Sequence, residues 1–255
     1  MSACATGFHF LLANSRRAAT IGAMGKPKHI GIVACSTEGA ALCYRAISLI
    51  GSELIGRHAH PEVSLHSHCL AEYMEHIERG DWDGVAELML HSAETLEKTG
   101  AEFLICPDNT LHIAFDRMAS RLPLPWLHIA EVVATEAKRC GHTSIGILGT
   151  KYTMQGPVYV EKFGAAGLRY HLPEPGQQER INQITFDELV NAKFTDESLH
   201  YFQEVIGGLK SKGCDAVVLA CTEHPLLVTP KDSPLPTLDS TRLLARAAVQ
   251  YALRS

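Results

Sequence analysis

Four short, uninterrupted apolar runs stand out along the chain: Ile30–Ala34, Phe103–Cys106, Ser144–Leu148 and Ala216–Ala220. Between them lie longer amphipathic stretches whose apolar residues recur at helical spacing, among them Trp82–Lys98, Leu111–Arg121 and Glu197–Lys212. A strand that is apolar at every position is covered on both faces, and helices that follow such strands supply the cover. The alternation predicts βαβ units around a parallel sheet, an α/β fold.

The pattern also repeats. His29-Ile-Gly-Ile-Val-Ala returns as Ser144-Ile-Gly-Ile-Leu-Gly, and Phe103-Leu-Ile-Cys-Pro-Asp-Asn-Thr returns more loosely as Val217-Val-Leu-Ala-Cys-Thr-Glu. Gly31 and Gly146 are 115 residues apart, Asp108 and Cys221 113. Two independent pairs at nearly one offset imply two similar parallel-sheet lobes. Polar residues follow each run: Ser36-Thr37, Asp108-Asn109-Thr110, Thr150-Lys151 and Cys221-Thr222-Glu223. Ligands of open parallel sheets bind at the carboxyl ends of the strands. The expected active site is a cleft between the lobes, with Asp108 on one side and Cys221 on the other, which suits proton transfer at opposite faces of one carbon.

Composition narrows the class of partner. The 255 residues are 46% hydrophobic and 20% charged, the balance of an ordinary globular chain. Lys and Arg number 23 against 28 Asp and Glu, so no basic excess points to nucleic acid or an anionic membrane. No apolar stretch approaches the roughly 18 residues of a membrane span. The eight cysteines, Cys4, Cys35, Cys43, Cys69, Cys106, Cys140, Cys214 and Cys221, are scattered and form no CxxC pair. They read as free thiols of a reducing compartment, and a cytoplasmic location follows. Residues 1–28 hold Arg16, Arg17, Lys26 and Lys28 but no acid. That stretch reads as a leader or disordered extension, with organellar targeting one of its readings.

Five segments carry a family resemblance: Leu219-Ala-Cys-Thr-Glu, Asn109-Thr-Leu-His, Gly149-Thr-Lys-Tyr-Thr-Met, Ile181-Asn-Gln-Ile-Thr-Phe-Asp-Glu-Leu and Gly80-Asp-Trp. In their order along the chain they resemble the aspartate/glutamate racemase family of cofactor-independent amino-acid racemases, over about residues 28 to 254. The resemblance implies two α/β lobes related by a pseudo-twofold axis, usually in a homodimer. The first lobe would comprise residues 29–127 with 236–255, the second 128–235, the last helix returning to pack on the first. It implies an isomerase with one acid/base residue per lobe, here Cys221 and Asp108, and with no pyridoxal phosphate or metal. Asn109, Thr110, Thr150, Thr153, Thr222, Glu223 and Ser36 would line the substrate, aspartate or glutamate being expected.

Departures from the family pattern bear on the chemistry. Where relatives commonly read Pro-Cys-Asn-Thr, this chain reads Pro107-Asp108-Asn109-Thr110, and Cys106 falls outside the matching register. Asp108 takes the base position, with capping of the following helix as its alternative role; Cys106 reads as structural. Arg180 stands where relatives carry a lysine that holds the substrate's side-chain carboxylate, and arginine can bind that group in bidentate fashion. The first glycine-rich loop is Ala34-Cys35-Ser36, and Ile77 replaces a polar residue. A one-sided decarboxylase or isomerase using Cys221 alone, or a small-carboxylate binding protein, are the competing readings. His58, His60, His66, His68 and Cys69 have the density of a metal site, but Pro61 interrupts them and no metal is expected. His224 reads equally as a group tuning Cys221 or as a loop histidine held by Pro225. The chain lacks GxGxxG, which argues against a nicotinamide enzyme, and GxSxG is absent as well.

Overall fold

In the computed structural model, which describes residues 25–254, the four apolar runs become the central strands of two parallel sheets. One compact unit holds the described residues through Ile129 and those from Thr241 onward; the other is Ala130–Ser240. The expectation of a leader falls mostly on residues outside the described ones. Residues Lys26 and Lys28 are described, and the Lys28 amide donates to the Ala252 carbonyl at 2.9 Å.

The first unit runs β1 (Ile30–Ala34), α1 (Thr37–Leu54), β2 (Val63–Ser67), α2 (Leu70–Arg79), α3 (Trp82–Lys98), β3 (Phe103–Ile105), α4 (Phe115–Met118) and β4 (Trp126–Leu127). Its sheet has the order β2-β1-β3-β4, all parallel. The second unit follows as α5 (Ile129–Arg139), β5 (Ser144–Gly149), α6 (Lys151–Gln155), α7 (Val158–Ala165), β6 (Arg169–His171), α8 (Pro175–Asp187), α9 (Asp196–Ser211), β7 (Ala216–Ala220), α10 (His224–Leu227) and β8 (Thr237–Asp239). Its order is β6-β5-β7-β8, again parallel. The closing helix α11 (Ser240–Ala252) packs in the first unit, where Tyr251 stacks obliquely on Phe103 at 4.6 Å and Arg246 pairs with Glu53 at 3.6 Å.

The two strand orders are the same, and the repeated residues do the same work in each. A Cβ on Gly31 would lie 2.7 Å from Leu104 Cδ2 and 3.3 Å from Leu96 of α3; one on Gly146 would lie 2.8 Å from Leu209 of α9. Each glycine lets a helix settle close onto its central strand. Each first strand is also tied at its start by an acid that precedes its neighbour: the His29 amide donates to Glu102 at 2.9 Å, the Thr143 amide to Asp215 at 2.8 Å.

Two expectations change. The stretch Leu111–Arg121, predicted as one helix, is a 3-10 turn (Thr110–Ala114), the single turn of α4, and a second 3-10 turn (Ala119–Arg121). The His112 amide bonds the Asn109 carbonyl at 3.2 Å, so the segment starts in tight winding. Cys140 is disulfide-bonded, against the expectation of free thiols throughout.

Candidate active site

Each run of polar residues expected at the ligand end of a strand sits at the carboxyl end of β1, β3, β5 or β7. In the first unit Ser36 caps α1, its hydroxyl accepting from the Gly39 amide at 3.2 Å. After β3, Asp108 is half-buried and Asn109 buried. Asp108 Oδ1 accepts from the Leu111 amide at 3.2 Å, the capping contact that was the alternative to catalysis. The capping bond engages one oxygen of the carboxylate. Thr110, half-buried, opens the 3-10 turn.

Cys106 lies beneath this loop, fully buried, with its thiol toward the Asp108 carbonyl at 3.8 Å. Burial first, then the Asp108 charge, push its pKa well up. A thiol held protonated in the core is a packing group. Tyr73 is buried nearby and its phenol is likewise pushed up by burial, then by Cys106 and Cys35.

In the second unit the loop after β5 is built by Thr150, whose hydroxyl caps α6 by accepting from the Thr153 amide at 3.3 Å. The Lys151 amide donates to Asn182 of α8 at 3.0 Å. After β7, Cys221 is half-buried and its thiol donates to Glu223 Oε2 at 3.0 Å; the Thr222 hydroxyl donates to the same oxygen at 2.7 Å. Glu223, expected to line the substrate, is buried and turned onto these two side chains. Both donors converge on that one carboxyl oxygen.

His224 resolves in favour of structure. It is fully buried against Phe202 at 4.9 Å, and burial drives its pKa down to about 3. Thr185 donates to the Ile181 carbonyl at 2.7 Å, so its oxygen accepts the proton of His224 Nε2 at 2.9 Å. A ring neutral at physiological pH anchors the Cys221 loop to α8 and α9.

Arg180 falls elsewhere. Successive residues of an α-helix turn by about 100°, so Arg180 points to the opposite side of α8 from Asn182. It is exposed and lines a cavity of about 300 Å³ with Ile184, Glu197, Ser198, His200, Tyr201 and Glu204. Facing α9 rather than the Thr150 loop, it is not grouped with the residues at the strand ends, contrary to the sequence-based expectation. The α8 side chain that does face that loop, Asn182, belongs to the Ile-Asn-Gln segment, which was legible as a motif but not as a contact.

The histidine-rich segment divides, His66 and His68 staying 5.1 Å apart between ring centroids. His60 Nδ1 donates to the Pro61 carbonyl at 2.8 Å, while His66 and His68 meet His91 of α3 with ring centroids 5.0 to 5.6 Å apart. Among the described residues no group of three His, Cys, Asp or Glu is arranged to hold a metal ion.

The model of the Asp/Glu/Hydantoin racemase family matches residues 30–248. The broad specificity amino-acid racemase RacX of Bacillus subtilis (strain 168) is 26% identical over 175 residues, 68% of this chain and 74% of its own. A Yersinia pestis protein assigned as an Asp/Glu racemase superposes with a TM-score of 0.83 at 31% identity, covering 89% of this chain and 100% of its own. An aspartate racemase homologue from Pyrococcus horikoshii OT3 gives 0.79 at 28% identity over the same shares.

Proposed function

The chain belongs to the Asp/Glu/Hydantoin racemase family, and from that premise we propose that it is an isomerase interconverting the enantiomers of a small amino acid, aspartate or glutamate first, by two-base proton transfer at Cα. The observation that carries this reading is the Cys221 thiol at the end of β7 with its proton on Glu223 Oε2 at 3.0 Å.

An amino acid's α-proton is very weakly acidic, so the reaction needs a strong base on one face and a ready acid on the other. For one enantiomer Asp108, as carboxylate, takes the α-proton while the C–H electron pair passes to Cα and its carboxylate. The Cys221 S–H gives its proton to the opposite face. Inverted product, protonated Asp108 and Cys221 thiolate result. The other enantiomer runs the sequence backwards: the thiolate abstracts and the Asp108 carboxyl donates. Glu223 serves this cycle by accepting the thiol's hydrogen bond and so orienting the sulfur before transfer. Hydroxyl and amide groups of Ser36, Asn109, Thr110, Thr150, Thr153 and Thr222 would anchor the substrate carboxylate, where negative charge develops. The side chains supply both proton acceptors, so the scheme requires no cofactor.

The test is to incubate the purified protein with single-enantiomer amino acids in deuterated water and to follow chirality and α-deuterium together. Inversion with one deuteron at Cα is the expected result. Carbon dioxide release would replace this reading by a decarboxylase, and no change in any amino acid would leave a binding protein. Cys221→Ser should lower turnover by at least about 10²-fold, since a serine hydroxyl is a far weaker acid.

A further inference from the structure

Below the Asp108 loop a buried imidazole does work that the proton-transfer scheme does not yet use. The 3-10 winding at Thr110–Ala114 sends the His112 amide to the Asn109 carbonyl, so the Asp108 carbonyl loses the amide partner that an α-helix would give it. The side chain of the same residue fills the place: His112 Nδ1 lies 2.8 Å from the Asp108 carbonyl oxygen. A carbonyl only accepts, so Nδ1 carries the proton. On the other side of the ring the Trp126 indole N–H, which only donates, meets His112 Nε2 at 3.3 Å. The two contacts together select one neutral tautomer. The ring is buried, with His128 4.5 Å and Phe115 6.3 Å away between centroids.

We propose that His112, oriented by Trp126 of β4, is a positioning residue for Asp108, fixing the 108–109 peptide plane and through it the direction of the Asp108 carboxylate. The inference rests on the two-base reading, since it gives His112 importance only where Asp108 acts on the substrate. The Leu111 amide holds one carboxylate oxygen and His112 holds the carbonyl, so the residue is clamped at both ends of its own frame. A rotation of that peptide would swing the carboxylate by an ångström or more. Displacements of this size lower the rate of a positioned reaction by about 10²-fold.

The experiment compares His112→Asn with His112→Leu. The amide nitrogen of asparagine reproduces imidazole Nδ1, so His112→Asn keeps the donor to Asp108 and loses only the Trp126 contact. His112→Leu fills the space and removes the donor. α-Deuterium uptake is measured from each enantiomer of aspartate and glutamate separately, with the parent, Asp108→Ala and Cys221→Ser enzymes as references and thermal melts recording folding. We expect His112→Leu to slow exchange of the enantiomer that Asp108→Ala impairs by about 10- to 100-fold. The opposite enantiomer, deprotonated by Cys221, should be affected much less, and KM little. His112→Asn should restore most of the lost rate. Equal losses for both enantiomers in His112→Leu, or no restoration in a folded His112→Asn, would reduce His112 to a packing residue. If the parent exchanges neither enantiomer, the racemase reading fails, and with it the role for His112. A normal Asp108→Ala would leave that role without an object while Cys221 chemistry stands.

Discussion

His224 directly follows the Cys-Thr-Glu triplet, yet its Nε2–H donates to Thr185 and its pKa is driven by burial to about 3. An unfolded histidine binds its proton near pH 6.5, so between these values the unfolded chain holds more protons than the folded one. Stability is complete above pH 6.5 and is lost as pH falls toward 3. From the one-group relation the loss is about 2 kcal/mol at pH 5, and His224→Gln should flatten that part of a Tm-against-pH curve. An unchanged acid limb in the variant would show that the ring is not buried in the neutral form. Cys106 offers a second check. Pushed up by burial, its thiol should resist alkylation in the folded protein, whereas Cys69, exposed at the start of α2, should react readily. Cys221 and Asp108 were legible as residues because their neighbours form motifs at strand ends. The buried turn of Glu223 onto Cys221, and the clamp of His112 on Asp108, were not legible, because each depends on side-chain direction within a loop that hydrophobic periodicity does not describe.

Among the elements, the repeated strands and the long helices α3 and α9 match their apolar periodicity. The segment after Asp108 misled it, since 3-10 turns share the apolar spacing of a short helix. Gly80-Asp81-Trp82, read as a family motif, is a helix junction: Gly80 ends α2 at φ 68° and Asp81 caps α3 by accepting from the Gly84 amide at 2.9 Å. Helical glycines separate into two kinds. A Cβ at Gly51 of α1 would lie 2.6 Å from His60 Cβ and 2.7 Å from its Cα, so Gly51→Ala should cost about 1–3 kcal/mol. Gly207 of α9 has nothing within 4 Å of an added Cβ, and Gly207→Ala should stabilise by about 0.5–1 kcal/mol. Chemical denaturation of both variants checks the pair, and a stabilised Gly51→Ala would contradict the close approach. Arg180 tests the orientation of α8. Its place in the α8–α9 cavity predicts an unchanged KM for aspartate and glutamate in Arg180→Ala, while a marked rise would return it to the substrate.

Over the whole molecule, the spacing of Gly31 to Gly146 and of Asp108 to Cys221 was enough to read two similar units, and the strand orders β2-β1-β3-β4 and β6-β5-β7-β8 are the same. Among the described residues no helix is long and apolar enough to cross a membrane. What separates the units is chemistry: one strand end carries a carboxylate and the other a thiol, groups whose ordinary pKa values differ by about 4 to 5 units. A racemase built on that pair has distinguishable faces, and removing one base need not silence the other. The decisive measurement follows deuterium incorporation and optical rotation together in Asp108→Cys and Asp108→Ala. Asp108→Cys is expected to retain or increase racemisation, while Asp108→Ala loses inversion and keeps at most exchange with retention, Cys221 returning a deuteron to the face it deprotonated. Asp108→Ala racemising as fast as the parent would contradict this and leave Asp108 only as the cap of its turn.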